Sequence, residues 1–320
     1  MTKRVAFLVG TTRSSDPSLH HLPAAANDVK RLGRVLGDRS IGAYDVTMHI
    51  NADEGQVRGD LEEVLVEMPP DGTFLLYFSG HGVKDPYGET FFAMAGTRRR
   101  LLESSALNFG FVSRVLDKSS CKRQVVVLDC CYAGGYGKTK ADVIGETMNR
   151  LRGAGRVILT SSSEIQLSRV DGDESVFSRY FSEGLETGDA DLDDDSEISV
   201  DDLFGYIVQR LHDDGHSQTP LKYAQETSGS LHLASVPEWR RNSRKAEPRP
   251  GSTGLAEHYL RRLSPAERRA VEEAFRGRSN EEIASAQQKT VGSVSSLLTK
   301  AYRKLNVRNR AEMVGLLLGR

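Results

Sequence analysis

Strand-like and helix-like segments alternate through the first half of the chain. Three short apolar runs, at residues 5–9, 73–78 and 125–128, predict strands that are buried on both faces. Apolar residues at helical spacing predict helices over 24–36 and 56–67, and residues 45–50 alternate as a strand does. This β-α-β-α-β order predicts a parallel sheet with right-handed crossovers.

The α/β pattern continues to about residue 236. The further predicted elements are a strand pair at 87–94, a helix over 104–116, a strand over 156–162, a helix from Ser175 to Gly184 or Gly188, an acid-rich loop at 189–202, a helix through 203–211 and a last strand at 230–234. The glycine-rich, basic stretch 134–155 predicts a mobile loop.

From residue 255 onward the pattern is wholly helical. Ser264, Pro265 and Glu267 supply an N-cap, a first-turn proline and a capping-box acid. The predicted helices are 266–275, 280–286, 290–305 and one from Arg310. We therefore expect an α/β domain over 1–236, a basic, proline-broken linker over 237–254 and a small all-α domain over 255–320.

Composition indicates an ordinary globular protein. The 320 residues are 38% hydrophobic and 27% charged, with a net charge of -1, which argues against a wholly basic nucleic-acid coat. Two of the three cysteines, Cys130 and Cys131, are adjacent, a pattern that suits no disulfide framework and favours a reducing cytoplasm. We expect neither a signal peptide nor a membrane span, because no apolar run reaches the length that either requires.

Reactive side chains follow two of the predicted central strands. His81 comes after the strand 73–78, and Cys131 comes after the strand 125–128. The carboxyl ends of parallel strands meet at one edge of a sheet, so an imidazole base and a thiol nucleophile can meet there. Cys130 is expected to face the opposite way along its strand as a packing residue, because neighbouring residues alternate faces. The backbone N–H of Gly82 is a candidate donor to an oxyanion.

These residues resemble the caspase-like peptidases, and within them the branch called metacaspases or orthocaspases. The histidine of that family precedes its cysteine by about 50 residues, as His81 precedes Cys131. The resemblance covers about residues 3–236 and implies a three-layer α/β/α sandwich with a mostly parallel sheet and cysteine endopeptidase activity. It also implies that activating self-cleavage occurs in the loop before the strand at 156–162.

Charge predicts which substrates would be cleaved. Asp129 lies on the same strand face as Cys131, where a carboxylate repels an acidic substrate side chain and attracts a basic one. Asp28 and Ser79 match other pocket positions of the metacaspases. The sequence therefore predicts cleavage after Arg or Lys. Two simpler roles stay open: Asp129 caps the following turn, and Asp28 is an acid favoured near a helix start.

An acid-rich loop raises the question of calcium. Asp191, Asp193 and Asp195 fall at the first three ligand positions of an EF-hand-like loop. Ser196 replaces the turn glycine and Asp202 replaces the bidentate glutamate, so we favour a solvated loop that caps the next helix. We therefore predict no required cofactor, with calcium at these three aspartates as the alternative.

The tail has thirteen basic and seven acidic residues from Leu255 to Arg320. It resembles the helix-turn-helix of the LuxR carboxyl-terminal type, but Gly292 and Val294 stand where that family usually has a lysine and a histidine. Small residues make few phosphate or base contacts, so a protein partner and DNA both stay open for residues 255–320. Cleavage of the basic linker near 240–250 would release the tail.

The sequence thus predicts a cytoplasmic, caspase-like cysteine endopeptidase that its tail targets or regulates. The resemblance places it in bacterial stress, defence or cell-death signalling, with proteins or peptides as substrates and no membrane partner. The alternative is a DNA-binding transcriptional regulator whose caspase-like part is a sensor or an inactive scaffold.

Overall fold

The protein separates into two compact units, Met1–Arg241 and Asn242–Arg320. The computed structural model describes residues 2–133, 151–161, 170–171, 173–216, 218–225, 230–241, 259–260, 263–275, 278–287, 289–305, 307 and 310–317. Within these ranges, the side chains of residues 131–133, 170–171, 225, 281, 311 and 315 are not described. Each unit has its own buried apolar core.

The described part of the N-terminal unit alternates strands and helices. Its strands are β1 (Arg4–Gly10), β2 (Asp45–Ile50), β3 (Thr73–Lys84), β4 (Thr90–Ala93), β5 (Ala106–Asn108), β6 (Arg123–Ala133), β7 (Arg156–Thr160), β8 (Val170–Asp171), β9 (Glu174–Ser175), β10 (Glu197–Ser199), β11 (Leu221–Gln225) and β12 (His232–Ser235). Its helices are α1 (Ala24–Gly37), α2 (Glu54–Val66), α3 (Leu102–Ser105), α4 (Phe109–Lys118), α5 (Val176–Thr187) and α6 (Val200–Asp213).

One large sheet organises this unit. Its strand order is β11-β7-β6-β3-β1-β2, and all neighbours in that order are parallel except the antiparallel edge strand β11. Helices α1, α5 and α6 pack on one face of the sheet, around Tyr77 and Val127. Helices α2 and α4 cover the other face, around Phe74 and Val126. The predicted three-layer α/β/α sandwich with a mostly parallel sheet is therefore confirmed.

The central strands are apolar because both of their faces are covered. Every residue of β3 is buried, and its apolar side chains alternate between the two cores, with Leu75 on one side and Leu76 on the other. A strand covered by helices on both faces has a continuous apolar run rather than a polar alternation.

Two predicted boundaries were wrong near the site. Strand β3 continues through Lys84, and β6 through Ala133, because the two strands keep pairing past residue 78 and β4 pairs with β3 at residues 82–84. The predicted helix 104–116 is broken by β5, which pairs with β4. Asn108 then starts α4, since its side chain accepts the N–H of Phe111 as an N-cap does.

Strand pairing also differs from the prediction in the last third of this unit. Strand β11, a short strand at the sheet edge, was not predicted. Strand β12 was predicted, but it pairs with β10 in a separate two-stranded sheet. Part of the predicted acid-rich loop thus forms β10. The first unit runs beyond residue 236, with Arg240 paired to Asp189 at 2.7 Å.

The C-terminal unit is helical over its described residues. Its helices are α7 (Pro265–Phe275), α8 (Asn280–Ala286), α9 (Val291–Lys304) and α10 (Arg310–Leu317), close to the predicted ones. Ser279 and Glu282 form a capping box at the start of α8, and Thr290 caps α9. The core between the helices includes Val271 and Leu298.

Residues 134–150 of the predicted mobile loop lie outside the described residues. Residues 242–254 of the predicted linker also lie outside them. None of the described helices has the length and apolarity that a membrane span requires.

Gly155, just before β7, gives a test of this fold. Its φ of +73° is left-handed, and an added Cβ would lie 2.1 Å from the carbonyl oxygen of Lys122. We expect Gly155→Ala to lower the free energy of unfolding by about 2–4 kcal/mol in urea denaturation, because both strain and a backbone clash act there.

Gly59, in the interior of α2, is the matched control, since an added Cβ would contact nothing within 4 Å. Gly59→Ala should stabilise the protein by about 0.5–1 kcal/mol. Equal responses of the two variants would contradict the described turn into β7.

Candidate active site

The register of β3 and β6 brings the predicted reactive residues together. His81 is the pairing partner of Cys131, and Ser79 is the partner of Asp129. Paired residues on neighbouring strands lie about 4.8 Å apart along the hydrogen-bonding direction. The described structure gives the backbone position of Cys131 but not its thiol. Cys130 is buried in the core beneath α2 and α4, on the face opposite Asp129 and its partners.

The imidazole of His81 has a defined orientation. It is buried, with 8% of its surface exposed, and its Nε2 lies 2.7 Å from the carbonyl oxygen of His20. A carbonyl oxygen only accepts, so Nε2–H is the donor and the neutral ring has its lone pair on Nδ1. Nδ1 itself is buried and has no hydrogen-bond partner among the described atoms. The ring therefore has its lone pair on Nδ1, a basic nitrogen that none of the described atoms engages.

Burial lowers the pKa of His81, and the hydrogen bond to the His20 carbonyl opposes that shift. The nearby Arg99 guanidinium lowers the pKa further, to a smaller extent. The ring is therefore neutral at pH 7, which is the form that accepts a proton.

Hydroxyl groups from the start of α5 surround Asp129. Its carboxylate, which is 3% exposed, accepts hydrogen bonds from the Oγ atoms of Ser175 and Ser178, the latter at 2.6 Å. Because Ser178 gives its proton to Asp129, Tyr77 must be the donor in its 2.5 Å contact with Ser178. Ser175 also caps α5, since its Oγ accepts the N–H of Ser178. The carboxylate thus lies at the positive end of a helix.

Asp28 extends from α1 to the same place. Its carboxylate accepts the Ser79 hydroxyl at 3.1 Å and the backbone N–H of Ser175 at 2.9 Å. Ser175 therefore contacts both carboxylates, through its N–H and its hydroxyl. The two acids form one buried pair, which we call the acid pair, Asp28 and Asp129.

Burial and repulsion between the two acids raise the pKa of Asp28. Asp28 is only 2% exposed, and desolvation followed by the charge of Asp129 raises its pKa to about 8. The hydrogen bonds from Ser175 and Ser79 act in the opposite direction but are weaker. At neutral pH Asp28 is mostly protonated, and an added cation would favour its ionised form.

The segment that covers the acid pair is fastened to α1. Asn27 donates its side-chain amide to the carbonyl of Asp173 at 2.9 Å, and Arg31 pairs with Glu174 at 2.7 Å. These contacts hold the residues just before Ser175 over the helix that carries Asp28. The neighbouring residues Asn27 and Asp28 of α1 thus have distinct contacts, Asn27 with this segment and Asp28 within the acid pair.

Gly82 lies inside β3 rather than after it. Its register partners are Phe92 on β4 and Tyr132 on β6. The predicted oxyanion donor is therefore one residue beyond His81 within a paired strand, and its role stays a prediction.

The acid-rich loop is a separate cluster. Carboxylate oxygens of Asp191, Asp193 and Asp195 lie within 4.8 Å of one another, a spacing that suits a cation. The residues at the later EF-hand positions are engaged with each other: Asp202 accepts from the N–H and hydroxyl of Ser199 in the capping box of α6. That capping is the simpler role that the sequence favours, and calcium at the three aspartates stays an alternative.

Two open clefts lie elsewhere. One, of about 590 Å³, is near the start of α4 and includes Arg58 and Arg114, and another, of about 640 Å³, lies within the C-terminal unit along α9. None of the predicted site residues lines either cleft.

The structure adds three hydroxyl residues that the sequence analysis did not assign to the site: Tyr77, Ser175 and Ser178. Ser175 was recognised only as the start of a helix. Nothing in the sequence pattern connects that helix start with Asp129, because the contact joins residues 46 positions apart.

A sandwich whose two central parallel strands carry a histidine and a cysteine at the same register is a caspase-like architecture. The model of the caspase domain family of peptidases matches residues 3–232, so the chain belongs to that family. The family consists of cysteine peptidases. No curated protein matches the chain.

A solved structure has a similar fold. The crystal structure of protein GSU0716 from Geobacter sulfurreducens is 18% identical, with a TM-score of 0.52, and the match covers 73% of this chain and 98% of that chain. At this identity the likeness concerns the fold alone. The metacaspase branch and the LuxR-type tail stay predictions.

The acid pair predicts a pH dependence of stability. An unfolded aspartate titrates near pH 4, about four units below Asp28 in the folded protein. Between these two pH values the folded protein binds more protons than the unfolded chain. The stabilisation that comes from protonated Asp28 is therefore complete below about pH 4 and is lost as the pH rises through about 8. Asp28→Asn removes this titration. Between pH 5 and pH 8.5 its free energy of unfolding should therefore fall by about 1–3 kcal/mol less than that of the wild type.

Urea denaturation at the two pH values makes the comparison. Asp38→Asn is the control: Asp38 has a lowered pKa because Ser40 donates to it, so its titration is complete below this window. Parallel pH profiles of Asp28→Asn and wild type would refute the raised pKa.

Proposed function

We propose that the protein is a cysteine endopeptidase that cleaves after Arg or Lys. The observation that carries the proposal is His81, a buried neutral imidazole whose Nδ1 has no partner among the described atoms. His81 lies at the same register as Cys131 on the adjacent strand. A nucleophilic thiol needs a base of this kind beside it. The acid pair supports the specificity.

In this mechanism Nδ1 of His81 takes the thiol proton of Cys131, and the thiolate attacks the carbonyl carbon of the scissile bond. The Gly82 N–H stabilises the oxyanion that forms. The imidazolium then gives its proton to the departing amine, which leaves an acyl-enzyme that water hydrolyses with His81 again as base. The hydrogen bond to the His20 carbonyl keeps Nε2 protonated in both charge states, so Nδ1 takes up and returns the proton.

The acid pair supplies the specificity in this proposal. A guanidinium or ammonium group binds between Asp28 and Asp129, and Ser79 completes the pocket wall. A cation relieves the repulsion between the two acids and favours the ionised form of Asp28, whereas an acidic side chain would add a further negative charge beside them. Both acids are buried around Ser175. A substrate side chain therefore reaches them only after the segment 173–175 shifts.

In this proposal the C-terminal helical unit targets or regulates the peptidase activity. The outer face of α9 presents small and hydroxyl residues near its start, Gly292, Ser293 and Ser296, with Lys300 one turn further on. Such a surface fits a protein partner or, with its basic residues, DNA. Self-cleavage between residues 135 and 155 would activate the enzyme, and cleavage near 240–250 would release the tail.

The second candidate is a DNA-binding regulator with an inactive caspase-like part. The helical unit with its exposed α9 favours it. Salt-dependent, sequence-selective DNA binding without thiol-dependent cleavage would support this candidate against the first.

Cleavage of short fluorogenic peptides that end in Arg, Lys or Asp tests the proposal. The wild type should turn over the Arg and Lys peptides, and Cys131→Ala should lose at least about 1,000-fold in kcat/KM. Asp129→Asn should lose on the order of 100-fold for the Arg peptide, because one charge of the acid pair is gone.

Cys130→Ala is the matched control, since this neighbouring thiol is buried in the core on the opposite face. It should keep wild-type specificity. A preference for the Asp peptide would refute the role given to Asp129, and equal loss in the Cys130 and Cys131 variants would refute the assigned nucleophile.

A further inference from the structure

The carbonyl that orients His81 belongs to an irregular loop. His20 lies between β1 and α1, in a stretch without helix or strand from Thr11 to Leu22. A backbone oxygen on such a loop is a reliable acceptor only when other contacts fix the loop.

The two ends of this loop are joined at a neck. The N–H of Leu22 donates to the carbonyl of Thr12 at 2.7 Å, so the segment 12–22 closes on itself, with His20 two residues from the closing bond. On the other side of His20, Leu19 is buried among apolar residues that include Val83 and Phe91. The middle of the loop is held as well, since Ser15 donates its N–H to the carbonyl of Ala95 at 2.8 Å and Asp16 accepts the N–H of Arg99 at 2.7 Å. The neck is the contact that lies nearest to the His20 carbonyl on its C-terminal side, and Leu19 is the anchor on the other side.

Asn51 holds the neck from outside the loop. Its Oδ1 accepts two hydrogen bonds from Thr12, one from the backbone N–H and one from the hydroxyl, each at 2.9 Å. Asn51 follows β2, its own N–H donates to the carbonyl of Gly10 at 2.9 Å, and its φ of 55° is left-handed. Asparagine is among the few residues besides glycine that adopt this conformation readily. The backbone thus fixes Asn51, and its amide oxygen fixes Thr12.

We infer that Asn51 is a positioning residue for the candidate base: through the neck at Thr12 and Leu22 it places the His20 carbonyl that selects the His81 tautomer with a bare Nδ1. The chain of contacts runs from Asn51 Oδ1 to Thr12, from the Thr12 carbonyl to Leu22, and along the backbone to His20. The catalytic part of this inference rests on the proposed function of His81 as the general base.

Loss of the Asn51 side chain should change which nitrogen of His81 carries the proton and leave substrate binding unchanged. Without the side chain of Asn51, both donors of Thr12 lose their acceptor and the neck loosens. The His20 carbonyl then drifts from Nε2, and the ring samples the tautomer with the proton on Nδ1, which cannot accept the thiol proton. The described hydrogen bonds of Asn51 join it to Thr12 and Gly10 and not to the acid pair, so we expect substrate affinity to stay unchanged.

Asn51→Gly isolates the side chain, because glycine adopts the same left-handed backbone. In ¹⁵N NMR of the folded wild type at pH 7.5, His81, assigned by its absence in His81→Gln, should show a protonated Nε2 and a bare Nδ1. In Asn51→Gly these resonances should shift toward a mixture of tautomers. In peptide cleavage, kcat should fall roughly tenfold at unchanged KM.

Two variants separate this role from a general loss of stability. Asn51→Asp keeps the acceptor oxygen and should restore the wild-type resonances and kcat. Ala43→Gly changes another non-glycine residue with a similar φ, 53°, in the turn before β2, and it should behave as wild type. If Asn51→Gly does not fold, Thr12→Val removes one of the two bonds and should move the same signals to a smaller extent.

Unchanged His81 resonances in Asn51→Gly, or a failure of Asn51→Asp to restore them, would overturn the inference. The NMR result is independent of turnover. If the wild type cleaves no peptide, the proposed function fails while the tautomer measurement still decides the role of Asn51.

Discussion

The parallel pairing of β3 with β6 is the constraint on which the site depends. It runs without interruption from Thr73–Arg123 to Val83–Ala133, through strands that are buried by helices on both faces. A shift of one residue would exchange the two faces of a strand and move its polar residues into an apolar core. The apolar residues of both strands therefore fix the register, and that register places His81 beside Cys131 and Ser79 beside Asp129.

The polar end of this strand pair is stabilised by hydrogen bonds between protein groups. Each acid of the pair receives donors from Ser175, and the start of α5 faces Asp129. Burying two carboxylates is unfavourable even so, and the raised pKa of Asp28 expresses that cost. A cationic ligand would offset the unfavourable free energy of burying these two acids. This is the physical argument for a cationic substrate side chain. The His20 carbonyl organises the base in a comparable way, by a fixed backbone dipole.

Much of the fold could be predicted from the sequence because apolar periodicity marks covered strands and amphipathic helices directly. The large parallel sheet and the flanking helices followed from it. Short strands could not be predicted in this way. Strand β11 has only five residues, and β5 interrupts a helical pattern because it pairs with β4. His81 could be singled out by its position after an apolar run. Its hydrogen bond to His20 and the hydroxyl groups around Asp129 could not, since they join segments whose proximity depends on tertiary packing.

Binding of a cationic side chain to the acid pair is the central claim, and proton release tests it most directly. Isothermal titration calorimetry with Cys131→Ala and a peptide ending in Arg, at pH 7 in phosphate and in Tris, measures the protons exchanged on binding. We expect release of close to one proton, because Asp28 ionises when a cation binds beside it. We also expect the neutral citrulline peptide to bind at least about tenfold more weakly and without proton release. Equal affinity for the two peptides, with no proton exchange, would contradict the central claim.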